Sequence, residues 1–309
     1  MTDTKYNLIA IVGPTASGKT SAAVRLAALM GSEIISADSR QVYRGMDLGT
    51  GKDLHEFTVN GVSVPYHMID IVDPGYEFNL FEYQKRFYEC FTALRARGIV
   101  PVLVGGTGLY IEAVIKGYEM VHVPVNDSLR EELEGLDMAA LEARLKTLTP
   151  RVHNTTDLLN RNRLVRAIEI ADYSAHGGER KKPSAPDIRP FVIGVRWQRD
   201  VLQQRITTRL RERFEAGMVD EVRRLHASGT SWERLAFFGL EYRYISLYLQ
   251  GDLTYEEMFT TLNTRIRRFA KRQETWFRKM ERQGTVIHWV EQGRFEDMRT
   301  LIEDISHEF

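Results

Sequence analysis

The octet Gly13-Pro14-Thr15-Ala16-Ser17-Gly18-Lys19-Thr20 constrains this chain more than any other stretch. It fits the phosphate-binding pattern of Gly, four residues, then Gly-Lys-Ser/Thr. An apolar run, Leu8–Val12, precedes it, and a helical pattern with Val24, Leu26, Ala27 and Leu29 follows. Strand, tight turn and helix in that order are the context the motif requires. The turn's N–H groups converge on phosphate oxygens, and the helix N-terminus favours negative charge. Gly13 and Gly18 permit the turn, and Thr15, Ala16 and Ser17 bring further backbone to the cradle. Lys19 reaches a phosphate, and Thr20 is the candidate ligand for Mg²⁺.

Short apolar, β-branched runs recur at 33–37, 100–104, 191–195 and 286–289, with helical patterns between them. Buried strands alternating with helices predict an α/β fold with a mostly parallel sheet. Residues 80–97 read as a helix feeding the strand at 100–104. The stretch 125–187 differs: it carries helical patterns at 128–136, 138–148 and 156–174 and no convincing strand. Pro124 precedes it, and His176-Gly177-Gly178 followed by Pro183, Pro186 and Pro190 closes it. The expected organisation is therefore an α/β core, 1–124 with 188–309, carrying a helical insertion at 125–187. Beyond residue 198 the pattern is helical over 201–227 and 255–282.

Composition excludes several classes. Cys90 is the one cysteine, which rules out an internal disulfide framework and Cys-based zinc sites. No apolar stretch approaches a membrane span, and Met1-Thr2-Asp3-Thr4-Lys5 lacks a signal-peptide core. A cytoplasmic protein with no membrane partner, and a monomer, is expected. The formal net charge is zero, but basic residues are clustered. Eight Lys/Arg stand against two acids between Thr264 and Arg282; Arg199, Arg205, Arg209, Arg211 and Arg213 form a second group, and Arg161, Arg163 and Arg166 a third. Such runs are commonly solvated helix faces. Three of them in a neutral phosphate-binding protein point as readily to a polyanion.

Other segments offer chemistry. Asp38 ends the second predicted strand, and ligands bind at the carboxyl ends of strands in α/β sheets. A carboxylate there can accept a proton, or it can cap a helix. Gly105-Gly106-Thr107-Gly108 ends another strand; its glycines admit a ligand or merely pack, and Thr107 offers a hydroxyl. Asp70 and Asp73 are ill-formed candidates for a nucleotide-hydrolysis carboxylate, which argues against a motor or switch. Lys271, Arg272, Gln273, Trp276 and Arg278 combine phosphate-binding, base-reading and stacking side chains, or else form an amphipathic helix with a core Trp.

Taken in order, these motifs resemble the tRNA dimethylallyltransferases, also called tRNA isopentenyltransferases, of bacterial type. The matching pieces are Gly13 to Thr20, Asp38-Ser39-Arg40-Gln41-Val42-Tyr43, and Gly45-Met46-Asp47-Leu48-Gly49-Thr50 with Lys52. Ile69 to Pro74, Val104 to Tyr110, Arg163 to Glu169, Arg205-Ile206 with Arg209, and Ala270 to Arg278 continue the match. The resemblance implies a P-loop NTPase-like core and transfer of a dimethylallyl group from dimethylallyl diphosphate to N6 of adenosine 37, beside the tRNA anticodon. It implies Asp38 as general base, Thr107 as a second contact to that nucleotide, and Lys19 and Arg209 on the diphosphate with Mg²⁺ at Thr20. Contacts to the anticodon stem-loop are implied for Asp38, Ser39, Arg40, Gln41 and Thr107. They are implied equally for Arg130, Asn162, Arg163, Leu164, Val165 and Arg166, and for Lys271, Arg272, Gln273, Trp276 and Arg278. Two departures stand out: Gly239-Leu240-Glu241-Tyr242-Arg243 replaces the common Gly-Tyr-Arg/Lys, and Ile168 replaces Leu. The Cys/His zinc-finger tail of eukaryotic members is absent from this sequence. The competing readings are a small-molecule kinase, prenyl transfer to free AMP or ADP, and an RNA-binding protein without catalysis.

Overall fold

Strand β1 (Leu8–Val12) is buried along its whole length, as a run of β-branched and aliphatic residues demands when both faces are covered. Alternate side chains divide between two layers: Leu8, Ala10 and Val12 enter one core, Ile9 and Ile11 the other. The computed structural model describes residues 4–120, 122–149, 161–177 and 185–309. In it β1 lies between β6 (Val102–Gly105) and β7 (Pro190–Arg196). Beyond β6 come β2 (Ile34–Ser36) and the short edge strand β5 (Tyr66–His67); beyond β7 comes β8 (His288–Glu291). All six run parallel. A small antiparallel hairpin of β3 (Thr58–Val59) and β4 (Val62–Ser63) stands apart from this sheet.

One face of the sheet is covered by α1 (Lys19–Met30) and α12 (Phe295–Asp304). The other carries α2 (Leu80–Ala96), α3 (Gly108–Ile115) and the helices from α7 (Arg199–Glu215) to α11 (Tyr255–Arg282). Between those two lie α8 (Met218–Ala227), α9 (Trp232–Phe237) and α10 (Leu240–Leu249). Thr254 and Glu257 close a capping box at the start of α11. The helix expected across 201–227 is two helices. Gly217 sits at φ 96°, which an L side chain would resist, and there the chain turns to start α8. No helix among the described residues is long and apolar enough to cross a membrane.

The chain divides into two compact units, Met1–Tyr118 with Ala185–Phe309, and Glu119–Ser184. The second contains α4 (Asp127–Glu134), α5 (Met138–Leu148) and α6 (Arg161–Ala175) around Leu129, Leu133, Leu141, Leu145, Leu164 and Ile168. It starts before the expected Val125 because the approach to α4 is bonded into the unit. The Val123 carbonyl accepts from Arg166 (2.5 Å), and the Asn126 N–H donates to Glu169 (3.1 Å). The 156–160 part of the helix expected at 156–174 lies outside the described residues.

Candidate active site

The phosphate loop leaves the end of β1 and enters α1 with Ala16 at φ 60° and Gly18 at φ 82°. Three side chains from distant segments hold its backbone. Arg205 Nε donates to the Ala16 carbonyl (2.9 Å), and Trp197 Nε1 donates to that of Ser17 (2.9 Å). Gln273 Oε1 accepts from the Thr15 N–H (2.9 Å). Arg205 also lies over the Trp197 ring, 4.3 Å from its centroid. A loop gripped at three successive residues presents fixed N–H dipoles, and preorganised donors are what stabilise a developing anion. The Ser17 hydroxyl is buried in this loop with no hydrogen-bond partner among the described residues.

Sheet order decides what stands beside the loop. Because β6 separates β1 from β2, the ends of three adjacent strands deliver the phosphate loop, Thr107 and Asp38 side by side. Gly105 lies so close to the β2 end that a Cβ would overlap the Ala37 carbonyl. The Thr107 N–H donates to that carbonyl (3.2 Å), and the Ser39 N–H donates to Thr107 Oγ1 (3.1 Å). The Thr107 hydroxyl thus accepts from protein and keeps its own O–H to donate. Asp38 Oδ1 accepts from the Arg40 N–H (2.9 Å), which orients the carboxylate. The glycines after β6 serve packing as well: a Cβ at Gly106 would strike Gln273, and one at Gly108 would strike Trp276.

In front of the loop opens a cavity of about 940 Å³. Lys19 and Thr20 line one wall, Arg205, Arg209 and Arg213 another, and Asp53 and Glu56 a third. The three arginines recur every fourth residue of α7, so one face of that helix delivers them together. Burial, and then the Arg209 charge, push the Lys19 ammonium down to about 8; its Nζ donates to the Pro14 carbonyl (3.2 Å). Arg209 is ion-paired with Asp53 Oδ2, and Arg213 lies 3.6 Å from the same oxygen. Burial raises the Glu56 carboxyl, and Asp53 adds to the effect.

A family model described as IPP transferase matches residues 41–280, and one described as isopentenyl transferase matches residues 6–64. The chain is 60% identical over 297 residues to tRNA dimethylallyltransferase 1 of Syntrophus aciditrophicus, covering 96% of this chain and 97% of that protein. It is 56% identical over 285 residues to tRNA dimethylallyltransferase 1 of Geotalea uraniireducens, covering 92% of each. The fold matches the crystal structure of a tRNA isopentenylpyrophosphate transferase from Bacillus halodurans. The TM-score is 0.70 at 32% identity, over 98% of this chain and 97% of that one. The chain belongs to the tRNA dimethylallyltransferase family.

Several residues implied by the likeness to tRNA dimethylallyltransferases have other duties in the structure. Gln273 is buried in the apolar stripe of α11, and its Nε2 donates to the Gly106 carbonyl (2.8 Å) while its oxygen holds Thr15. Both the oxygen and the nitrogen of this buried amide brace one loop against the other. Gln41 accepts from Ser36 Oγ (3.0 Å) and donates to the Gly51 carbonyl (3.0 Å), which ties the Asp38 segment to the next loop. In the insertion, Arg130 and Arg166 both bond the buried Glu169 (2.8 Å each). Burial works to raise that carboxyl, but the two guanidiniums outweigh it and hold it below the usual range. Leu164 is fully buried in the insertion core and faces no polyanion, and Val165 is half-buried against that core. Asn162 and Arg163 are exposed on α6, and Lys271, Arg272 and Arg278 are exposed on α11; Trp276 is half-buried, with Lys279 over its ring at 4.7 Å. Ser39 and Arg40 border the Asp38 cleft, with Arg40 over the Phe237 ring at 4.9 Å.

Asp70 is bonded to the fully buried Lys52 ammonium, which also donates to Asp47 (2.7 Å) and the Tyr43 carbonyl (2.7 Å). Asp73 is an exposed partner of Arg44. Neither carboxylate lines the phosphate-loop cavity. The unusual Gly239 to Arg243 segment has a structural role. Tyr242 donates to the buried Glu221 (2.7 Å), whose carboxylate also accepts from the N–H groups of Asp47, Leu48 and Gly49 (2.7–3.0 Å). Gly49 must lack a side chain, because a Cβ would stand 2.5 Å from the Tyr242 ring. Glu221, Trp197 and Asp53 carried no motif of their own, while Tyr242 stood in a departure from the family pattern and Arg213 in a basic cluster. The four-residue spacing of the α7 arginines was the one available signal.

Proposed function

We propose that this enzyme transfers the dimethylallyl group of dimethylallyl diphosphate to N6 of adenosine 37, next to the anticodon of tRNA. The observation that carries the reading is the meeting of the phosphate loop, Asp38 and Thr107 at three adjacent strand ends, beside a cavity that Lys19, Arg205, Arg209 and Arg213 line. The diphosphate occupies that cavity, held by the loop N–H groups, Lys19 and Arg209. As the donor's C1–O bond breaks, charge grows on the leaving diphosphate, and these fixed cations and dipoles stabilise it. The adenine amine forms the new N6–C1 bond and gives its proton to Asp38. Thr107 donates its hydroxyl to the same nucleotide. Adenosine 37 reaches the cleft out of its stack, since N6 is otherwise shielded. Mg²⁺ fits here: Thr20 stands in the first turn of α1 at the cavity, and the carboxylates of Asp47 and Glu56 stand in its walls. The described residues contain no cluster of three or more His, Cys, Asp or Glu, so diphosphate oxygens and water would complete the ion's shell, the habit of Mg²⁺. Its charge would offset that of the leaving group. The exposed Asn162, Arg163, Lys271, Arg272 and Arg278 contact the stem-loop. The protein acts as a cytoplasmic monomer.

The test is incubation with labelled dimethylallyl diphosphate and an unmodified anticodon stem-loop bearing A36-A37-A38. A labelled base is expected, with no label passing to free AMP or ADP and no requirement for ATP. Asp38→Ala should reduce the rate by roughly 10²–10⁴-fold while stem-loop affinity stays within about tenfold. Turnover near the wild-type rate by Asp38→Ala would remove the base assignment.

A further inference from the structure

Four cationic side chains line the phosphate-loop cavity, but they are not equally available. Arg205 is committed to the Ala16 carbonyl and the Trp197 ring. Arg213 is nearly buried, and its Nε has no hydrogen-bond partner among the described residues. Arg209 and Arg213 meet at a single carboxylate oxygen, Oδ2 of Asp53. Asp53 reaches this position from a left-handed backbone, φ 44°, at the start of the short 3-10 turn Leu54–Phe57. Burial would raise its carboxyl, but Arg209 and Arg213 hold it below the usual carboxylate range. Burial first, and then the Arg209 charge, depress Lys19, while Asp38 and Glu56 work the other way. Lys19, Arg205, Arg209 and Arg213 share the cavity lining with the carboxylates of Asp47, Asp53, Glu56 and Glu212, and Asp53 is the acid bonded to the guanidinium that the diphosphate needs.

Resting on the diphosphate reading above, we propose that Asp53 is an internal counter-anion. It holds Arg209 and Arg213 when the site is empty, yields Arg209 to the incoming diphosphate, and takes it back as the product diphosphate leaves. The exchange is nearly balanced, because a guanidinium binds a carboxylate and a phosphate with the same forked geometry. Without such an acceptor, an anion that gained charge in the reaction would leave a cavity of several cations slowly. Asp53 is a positioning residue: it touches the arginines and competes with the diphosphate for them.

Calorimetric titration of the full chain with inorganic pyrophosphate tests this. Asp53→Asn keeps a residue tolerant of the left-handed backbone and keeps an acceptor for Arg209, but removes the charge. Asp53→Gly fits the same backbone without any acceptor. Both should bind pyrophosphate about 5- to 10-fold more tightly than the wild type, the value of a lost competing ion pair. Steady-state turnover should fall while the single-turnover rate is kept, because product release becomes slower. A merely structural role predicts weaker binding and a slower single turnover. Unchanged or weaker pyrophosphate binding in both variants, with binding abolished in Lys19→Ala, overturns the Asp53 proposal alone. Full-strength binding in Lys19→Ala would remove the diphosphate site itself, and this proposal with it.

Discussion

Lys19 shows what the phosphate loop costs at the level of one residue. Its ammonium is pushed from 10.5 to about 8 by burial and by the neighbouring arginines. Between those two pH values the unfolded chain carries this proton and the folded one does not. Stability from this group is therefore lowest below pH 8 and rises as pH climbs through the window. At neutral pH the penalty is at most roughly 3 kcal/mol, less after solvent screening. Lys19→Met should accordingly melt higher than the wild type at pH 7, and the gap should close as pH approaches 10.5. A lower melting temperature for Lys19→Met at pH 7 would show that the ammonium is not destabilised. Pyrophosphate affinity has the opposite trend, since the ligand needs the proton: it should fall as pH rises above about 8.

At the scale of elements, α11 joins the two halves of the site. Its buried stripe runs Met258, Leu262, Ile266, Ala270, Gln273, Phe277 and Met280. A glutamine at a core phase of an otherwise apolar stripe signals a buried amide with backbone partners, which is what Gln273 has at Thr15 and Gly106. Gln273→Leu should leave that N–H and carbonyl without partners, costing roughly 1–3 kcal/mol for each group left buried and unmade. The expected outcome is a lower denaturation midpoint together with weaker pyrophosphate binding, before any tRNA is added. A base-reading glutamine would instead leave both unchanged and alter only stem-loop selectivity. Helix phase carried this information in the sequence, but the residue type, a familiar base reader, pointed the other way. Glu221 follows a similar logic: it stands in the first turn of α8, and its value as a cap for three loop N–H groups depends on the break at Gly217.

At the scale of the whole molecule, zero net charge leaves any attraction to tRNA to local clusters. Those clusters divide by burial. Arg130 and Arg166 neutralise Glu169, so reversing their charge would disrupt the insertion rather than report on binding. Lys271, Arg272 and Arg278 are exposed, and their reversal to Glu leaves no fully buried ion pair broken, although Arg278 faces the half-buried Glu274. The triple reversal should weaken stem-loop binding and flatten the plot of log K against log salt by about 0.7–0.9 for each phosphate no longer neutralised. Filter binding at several salt concentrations measures this. An unchanged slope would make that face of α11 a solvated surface.

The sequence alone determined the features that repeat locally. The tight turn between β1 and α1, the strands β1, β6 and β7 and the span Tyr255–Arg282 all rest on spacing within a few turns of chain. It missed β5 and the β3–β4 hairpin because two-residue strands leave no periodicity to read. Asp38 and Thr107 were legible as residues at strand ends, while their meeting required β6 to lie between β1 and β2, a fact of sheet order. Tertiary structure alone decided which polar side chains are spent. Gln273 and Arg130 find partners 39 to 258 residues away in the chain, beyond the reach of any local pattern, whereas the Arg166–Glu169 pair is an i,i+3 neighbour whose burial alone is tertiary. A buried donor or acceptor must be paired wherever its partner lies, and that pairing determines whether an arginine or glutamine remains for a substrate.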